Sequence, residues 1–434
     1  MTRDIIKVVA TLAITAACGG CHNTSTTVED TAVRETVEEA AEHANVSYAT
    51  SESEREIIRA TNDFSFRLFQ SVVANSTGKD ILISPLGVVY SLELISNGAS
   101  GHTKQLLQQQ LGTSQFSLDD INTLRRKMML CHAKVSLDDM FHTTKTAFLK
   151  SSNLLLYCDS QVINQDFVNT IAHSYFADCL SYQHEDDAKS TVDTWNKETN
   201  HGAIKDISLE FDEDSVAYFI NTLLFNGAWV QEFYDAKPDT FYVTKDEVRI
   251  VDMMSKTEEE GCFRYMQNNQ YAILRMPYVG SFYMDVILPN ENLNVDSMIK
   301  QMDMEQYKNS TKMLKKYDIV DVSIPKFHVK SEIDLKYLLA EMGLTDIFSN
   351  KADFSLMSDS SLYINKMKQN IEIEVDEKGT HVEAITSTSF ATKSELSKPT
   401  RAEFYANRSF IYFIRDCFGS ICFAGVYRGG KNDQ

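Results

Sequence analysis

FINTLLFNGAWV, residues 219–230, is the stretch that decides the fold class of this chain. A short apolar run bounded by turns is typical of a β-strand. Similar runs lie at residues 151–157, 271–278, 282–289 and 320–327. The chain closes with FIYFIRDCFGSICFAGVY, residues 410–427, in which two apolar strands flank a tight turn at Phe418–Gly419–Ser420. From about residue 150 onward, the sequence therefore predicts a large sheet component.

Before residue 150 the apolar residues follow a helical period instead. The first predicted helix contains Phe64, Leu68, Phe69, Val72 and Val73, with Asn62 or Asp63 as its cap. Further helices are predicted at residues 88–97, 103–111, 165–178, 189–198 and 333–342. Helices first, mixed elements next and a hairpin last indicate an α+β fold without internal repeats.

Composition limits the domain count and the partners. The chain has 434 residues, 43% of them apolar, and no Pro/Gly-rich linker after residue 60. That length would allow two or three domains, but one compact domain also remains possible. We expect such a domain at residues 57–430, in a monomer. A net charge of −19, from 42 basic and 61 acidic residues, argues against a nucleic acid partner. Only Arg125, Arg126 and Lys127 form a basic cluster, which we interpret as one turn of a solvated helix.

The N-terminal residues differ from the rest of the chain. A short apolar run, residues 5–17, follows Arg3 and predicts a secretory signal peptide over residues 1–21 and an extracellular protein. The run is too short for a membrane span. A lipoprotein with a lipidated Cys18 is the alternative. Residues 22–56, rich in Thr, Ser and Glu, are expected to form a flexible acidic tail.

Glycosylation and disulfide bonds are both open possibilities for a secreted chain. Candidate glycosylation sites are Asn23, Asn45, Asn75, Asn309 and Asn407. Six cysteines remain outside the predicted leader and form no C-x-x-C pattern. Cys417 and Cys422 either face each other across the closing hairpin or are buried free thiols. No catalytic or nucleotide-binding motif occurs, so we expect no enzyme, no metal site and no cofactor.

Taken in order, several blocks of the chain resemble the serpin superfamily of serine protease inhibitors, over roughly residues 58–428. The blocks are residues 62–72, 81–107, 192–207, 220–241 and 404–427. The block at 220–241 carries the resemblance through Asn221, Phe225, Gly227, Trp229, Phe233, Thr240 and Phe241. The resemblance implies one domain with three β-sheets, eight or nine helices and an exposed reactive-centre loop at about residues 377–403.

The same resemblance assigns a role to VDEKGTHVEAITSTSFATKSELSK, residues 375–398. The segment from Glu377 to Thr380 resembles the hinge of a loop that enters the main sheet as an extra strand once it is cut. Alternate residues from Thr380 would then face inward, and they are uncharged: Thr380, Val382, Ala384, Thr386, Thr388 and Phe390. Glu377, Gly379, Thr380, Val382 and Ala384 are therefore the expected hinge residues.

In this family the cut bond lies sixteen positions beyond the hinge glutamate, which implies Lys393–Ser394 here. Sixteen strand steps of about 3.3 Å would carry an acylated protease roughly 50 Å. A lysine at the bond suits the acidic specificity pocket of a trypsin-like serine protease, the expected partner. Lys398 and Arg401 are the alternative cleavage positions.

Supporting residues carry over by position. Lys326 is expected to pair with Glu377 beside Trp229, where the sheet first opens. Ser84 and Asn221 match the shutter under the sheet centre. Gly87 and Gln369 replace a serine and a histidine that are usual there, so the hydrogen bonding must differ.

Two functions follow from the resemblance. The first is a suicide-substrate inhibitor cut after Lys393. The second is a binding or carrier protein whose loop is cut without trapping the protease. Val382 and Ile385 are larger than the small residues that favour fast insertion, so the hinge by itself leaves both open.

Overall fold

The fold is described from a computed structural model, which places residues 7–18, 36–44, 47–76, 78–133, 136–138, 144–200, 204, 207, 215–259, 261–378 and 399–430. Expectations for Gly379, Thr380, Val382, Ala384, Lys393, Ser394 and Lys398 fall outside these residues.

The predicted α+β class is confirmed. The described residues contain ten α-helices: α1 Val37–His43, α2 Glu52–Ala74, α3 Pro85–Ser96, α4 Gly101–Leu111, α5 Leu118–Ala133, α6 Gln165–Tyr175, α7 Glu185–Asn200, α8 Val295–Gln301, α9 Met304–Lys312 and α10 Leu335–Leu339. A π turn, Ala340–Leu344, continues α10, and 3₁₀ turns lie at Val279–Ser281 and Thr345–Phe348. The count exceeds the expected eight or nine because the short helix α1 lies in the segment predicted to be a tail.

Three sheets contain the strands of the described residues, as expected. The strands are β1 Lys7–Cys18, β2 Ile81–Ile83, β3 Ser136–Asp138, β4 Thr144–Cys158, β5 Ala177–Tyr182, β6 Ser215–Gly227, β7 Lys237–Tyr242, β8 Val248–Glu258, β9 Arg264–Gln267, β10 Tyr271–Pro277, β11 Tyr283–Pro289, β12 Ile319–Pro325, β13 Phe327–Asp334, β14 Leu362–Val375, β15 Arg401–Tyr405, β16 Phe410–Arg415 and β17 Ile421–Tyr427. A six-stranded sheet runs β2-β17-β16-β11-β10-β9, and a four-stranded sheet runs β15-β12-β8-β7.

The largest sheet has seven strands and positions the candidate site. Its order is β13-β14-β1-β6-β4-β3, with β5 paired in parallel to the second half of β4. The N-terminal strand β1 therefore lies at the centre, antiparallel to β14 on one side and to β6 on the other. Helix α3 lies beneath this centre with all of its residues buried, so its N-terminus touches the middle of the sheet.

The closing hairpin has the predicted form. Strands β16 and β17 pair antiparallel around a turn in which Gly419 has φ +82°. All residues of both strands are buried. Cys417 and Cys422 do not form a disulfide, and the six cysteines from Cys131 to Cys422 are free thiols.

Order begins earlier than residue 57, where the sequence analysis placed it. Helix α2 starts at Glu52, and its cap is Ser51 rather than Asn62 or Asp63. Helix α1 is capped by Thr36. Both starts are capping boxes, in which a Glu three residues after the cap returns the hydrogen bond. The Thr-, Ser- and Glu-rich composition of this segment predicted a flexible tail. The same residue types, spaced three apart, instead form the caps of two helices.

The interpretation of the basic cluster as a solvated turn was wrong. Arg125 is fully buried, and its guanidinium holds both carboxylate oxygens of Glu93 at 2.7 and 2.8 Å. Lys127 contacts Glu54 at 2.9 Å and is only partly exposed. Arg125 and Lys127 fasten α5 to α3 and to the start of α2, because each finds an acid on a different neighbouring helix.

Candidate functional site

The start of the expected hinge, residues 376–378 after β14, is docked on the chain that leaves β6. The Trp229 indole N–H donates to the Asp376 carbonyl at 3.0 Å, and the Phe233 N–H donates to the Glu377 carbonyl at 2.8 Å. The Trp229 N–H reaches the Lys378 carbonyl at 3.4 Å. These bonds hold residues 376–378 at one end of the seven-stranded sheet, directly before the residues expected to enter it.

The ion pair expected at this end of the sheet is present. Lys326 Nζ lies 3.2 Å from Glu377 Oε2, and the Ala236 N–H donates to the other carboxylate oxygen at 3.1 Å. Lys326 lies between β12 and β13, so the pair joins the hinge to two sheets. Burial alone would raise the pKa of Glu377, but hydrogen bonds from backbone N–H groups and from Lys326 lower it. The carboxylate is therefore ionised where the hinge begins.

Trp229 provides the buried apolar surface on which residues 376–378 are docked. It is 1% exposed and stacks on Tyr278 with ring centroids 4.0 Å apart and an interplanar angle of 11°. Phe233 meets the indole edge-on at 6.1 Å. Because the indole is fixed by two aromatic neighbours, its N–H is held in position for the Asp376 carbonyl.

Ser84 and Gln369, two of the residues expected in the shutter, are in contact under the sheet centre. The side-chain amide of Gln369 pairs with the backbone of Ser84: its oxygen accepts from the Ser84 N–H at 2.8 Å and its nitrogen donates to the Ser84 carbonyl at 3.1 Å. Ser84 Oγ donates to the Cys422 carbonyl at 2.8 Å and accepts from the Gly87 N–H at 3.3 Å. The amide thus ties β14 to the start of α3, at the position where the resemblance makes a histidine usual.

Asn221 sits in the same layer but is not fully bonded. Its Nδ2 donates to Asn153 Oδ1 at 2.7 Å and to Ser151 Oγ at 3.0 Å. Among the described residues, its buried Oδ1 has no hydrogen-bond partner. A Cβ placed on Gly87 would lie 3.0 Å from that oxygen. A serine at position 87, which is usual in the family, would therefore place its hydroxyl within reach of Asn221 Oδ1.

The Gly87→Ser variant should be more stable than the Gly87→Ala variant by about 1 kcal/mol. Both variants place a Cβ close to Asn221 Oδ1, but only serine can donate a hydrogen bond to this buried acceptor. Urea unfolding midpoints of the two variants, measured side by side, test this. An alanine variant as stable as the serine variant would contradict it, since alanine has no donor for Asn221 Oδ1.

The far side of the expected loop is also anchored. Thr400 donates its N–H and its hydroxyl to Asp318 at 2.7 and 2.8 Å. Arg401 starts β15, which runs parallel to β12, and its Nε donates to Asp321 at 2.6 Å. Residues 379–398 are therefore flanked by fixed segments on both sides.

Sequence reasoning missed two groups at this site. Asp376 supplies the carbonyl that accepts from Trp229, and its Oδ1 accepts from the Lys378 N–H at 2.9 Å. Ala236 supplies a backbone N–H to Glu377. Backbone donors and acceptors leave no side-chain signature, so only the fold could reveal them. The described residues contain no group of three or more His, Cys, Asp and Glu side chains placed to hold a metal ion.

Comparisons with known proteins agree with this geometry. The family model described as "Serpin (serine protease inhibitor)" matches residues 59–428, so the chain belongs to the serpin family. A serpin-like protein of Methanosarcina acetivorans is 27% identical, with 92% of each chain covered. Serine proteinase inhibitor 1 of Monkeypox virus is 27% identical over 83% of this chain and 98% of its own length.

Among solved structures, human thyroxine-binding globulin in complex with its ligand matches with a TM-score of 0.74 at 20% identity, covering 88% of this chain and all of that one. This likeness shows the fold alone. In general, serpins are protease inhibitors rather than catalysts. No helix in the part of the chain described here has the length and apolar character needed to cross a bilayer.

Proposed function

We propose that this serpin is a secreted inhibitor of trypsin-like serine proteases, which cut the bond between Lys393 and Ser394 and are then trapped. The observation that carries the proposal is the docked hinge. Glu377 is held by Lys326 and by the chain after Trp229 at the end of the sheet where an inserting strand must start. Formation of the acyl-enzyme would be followed by entry of residues from Thr380 onward, driven by strand pairing and burial.

The contacts of the flanking segment support Lys393 over the two alternative cleavage positions. Arg401 lies in β15 and is paired with Asp321 at 2.6 Å, so a protease would have to pull it out of a sheet. Lys398 is followed by Pro399, whose ring and missing N–H hinder cleavage at that bond. Lys393 is followed by serine and has neither obstacle in its sequence.

Exposed glycosylation triplets support export. Asn75 and Asn309, each followed by Ser-Thr, are both exposed. With a leader over residues 1–21, they fit a secreted, monomeric glycoprotein. Edman sequencing of the exported chain tests the leader, and its mass before and after glycosidase treatment tests the glycans.

Incubation of the chain from residue 22 with trypsin should give an SDS-stable band at the summed mass. The released C-terminal peptide should start at Ser394. The Lys393→Leu variant should lose at least about 90% of this band, because a trypsin-like pocket requires a basic residue, while the matched Lys398→Leu variant should keep it. A peptide that starts elsewhere would move the reactive bond, and free trypsin beside cleaved chain would contradict inhibition.

The second candidate is a binding or carrier protein whose loop is cut without trapping. The fold match to thyroxine-binding globulin motivates it, together with the larger residues Val382 and Ile385 in the hinge. Heating the cleaved chain separates the two candidates. If cleavage adds no thermal stability, the loop does not insert and the carrier function is favoured.

A further inference from the structure

The N-terminal strand β1 occupies the centre of the seven-stranded sheet. It pairs with β14 from Val8↔Ile373 to Cys18↔Leu362, and with β6 from Lys7↔Asn226 to Ala17↔Ser215. In the described part of the chain, β14 and β6 are joined only through β1. The sheet therefore contains a slot for one strand between β14 and β6, and residues 7–18 fill it.

The direction of β1 is the one that an inserting loop would need. Its first residue lies opposite Asn226, close before Trp229, and its second lies opposite Ile373, close before the docked Glu377. It runs from this end toward Leu362, antiparallel to both neighbours. A loop that continues from Lys378 would enter at the same end and run the same way.

Length and composition make the two segments rivals for the slot. Strand β1 has 12 residues, about 40 Å of strand, and the loop segment from Thr380 to the expected cut at Lys393 has 14 (393 − 380 + 1), enough to fill the same span. KVVATLAITAAC has no proline, and Lys7 at its start is its one charged residue. The loop segment contains Glu383 and His381. The N-terminal segment is thus the more apolar of the two and suits a central strand well.

A second contact holds the N-terminal region on the same sheet. Helix α1 packs on α5, and its Glu38 Oε1 lies 2.5 Å from Lys150 Nζ of β4, a strand of the same sheet. Val37, Ala40 and Ala41 of α1 are buried. The chain between Cys18 and Thr36 is 17 residues (35 − 19 + 1), enough to span up to about 60 Å. A released β1 would stay tethered near its slot, which raises its effective concentration there.

We propose that residues 7–18 are an intramolecular competitor of the reactive loop, and that a chain which keeps them is cleaved without trapping its protease. This inference rests on the proposed function, because it assumes that the loop needs the slot. Removal of residues 1–21, as expected for a leader, would empty the slot and make the chain inhibitory. N-terminal processing would then act as the switch between a blocked and a competent form.

Occupancy of the slot is tested without any protease. The full chain is produced without an export pathway, and the presence of residue 1 is checked by mass. Amides of β14 and β6 should exchange with deuterium at least about tenfold more slowly than in the Leu12→Pro variant, because proline cannot donate to the ladder. The matched Leu12→Ile variant should behave like the parent. Equal exchange in all three would overturn the inference, whatever the chain does to trypsin.

Competition is tested with the full chain, the Leu12→Pro variant and the chain from residue 22. The last two should give at least about tenfold more SDS-stable complex with trypsin than the full chain, and the synthetic peptide KVVATLAITAAC should reduce complex formation by the shortened chain. Equal complex from all three would overturn competition and leave the proposed function intact. If no chain traps trypsin, the proposed function fails. The inference then stands only if loop cleavage raises the melting temperature of the shortened chain and not of the full chain.

Discussion

Replacing Arg125 with methionine should lower the free energy of unfolding by about 3–5 kcal/mol. The guanidinium of Arg125 binds both oxygens of Glu93, and the two side chains are 0% and 1% exposed. It also donates to Thr61 Oγ1 at 3.3 Å. Without it, a carboxylate between α3 and α5 has no charge partner and is shielded from water. The urea unfolding midpoint at pH 8 measures the loss.

The loss of folding free energy in the Arg125→Met variant should be larger at high pH than at low pH. Burial already raises the pKa of Glu93 despite the attraction of Arg125, and removal of the arginine raises it further. A group whose pKa is raised on folding stabilises the fold below its unfolded pKa and loses this contribution as the pH rises. The Arg125→Met variant should therefore be closer to the parent at pH 5 than at pH 8. A loss below about 1 kcal/mol at both pH values would contradict the buried ion pair.

A double variant provides the control. In Glu93→Leu/Arg125→Met the buried charge is gone together with its partner, so most of the stability should return. The difference between its unfolding midpoint and that of the parent should also change little between pH 5 and pH 8. If the double variant were as unstable as the single one, lost packing rather than the unpaired carboxylate would explain the defect.

The Gln369→Glu variant should be destabilised by about 3–5 kcal/mol at pH 8. Gln369 is 0% exposed, and its amide both accepts from and donates to the backbone of Ser84. A carboxylate can still accept from the Ser84 N–H, but its second oxygen would face the Ser84 carbonyl at about the present 3.1 Å and repel it. This repulsion would weaken the contact between residue 369 and Ser84, which joins β14 to the start of α3.

Acid should rescue this variant. A protonated carboxyl group can donate to the Ser84 carbonyl, so folding raises the pKa of Glu at position 369. The protonated form, which stabilises the fold, is fully present below the pKa of about 4.3 in the unfolded chain and is lost as the pH rises above it. Urea midpoints should therefore approach the parent's near pH 5 and fall toward pH 8. The Gln369→Ala variant is the control, with a loss of about 1–3 kcal/mol at either pH. A rescue equal in both variants would contradict the paired-amide geometry.

Local patterns in the sequence determined the elements. The helical spacing from Phe64 to Val73 predicted α2, and the run at residues 410–427 predicted the hairpin β16–β17. Side-chain periodicity is a property of neighbouring residues, so it can be found without the fold. The resemblance to serpins added the pairing of Lys326 with Glu377, which periodicity could not supply. The capping boxes at Thr36 and Ser51 were visible as Thr-x-x-Glu and Ser-x-x-Glu but were overlooked in favour of composition.

The other long-range pairings were decided by the tertiary structure alone. Arg125 and Glu93 are 32 positions apart, and nothing near Arg125 in the sequence marks it as buried. Residues 5–17 look like a leader, because an apolar run of that length suits an export signal and a central strand equally well. The place of residues 7–18 between β14 and β6 depends on a gap formed by strands about two hundred or more residues away. The sequence determined what the N-terminal segment can pair with, and only the folded sheet decided that there is a slot for it.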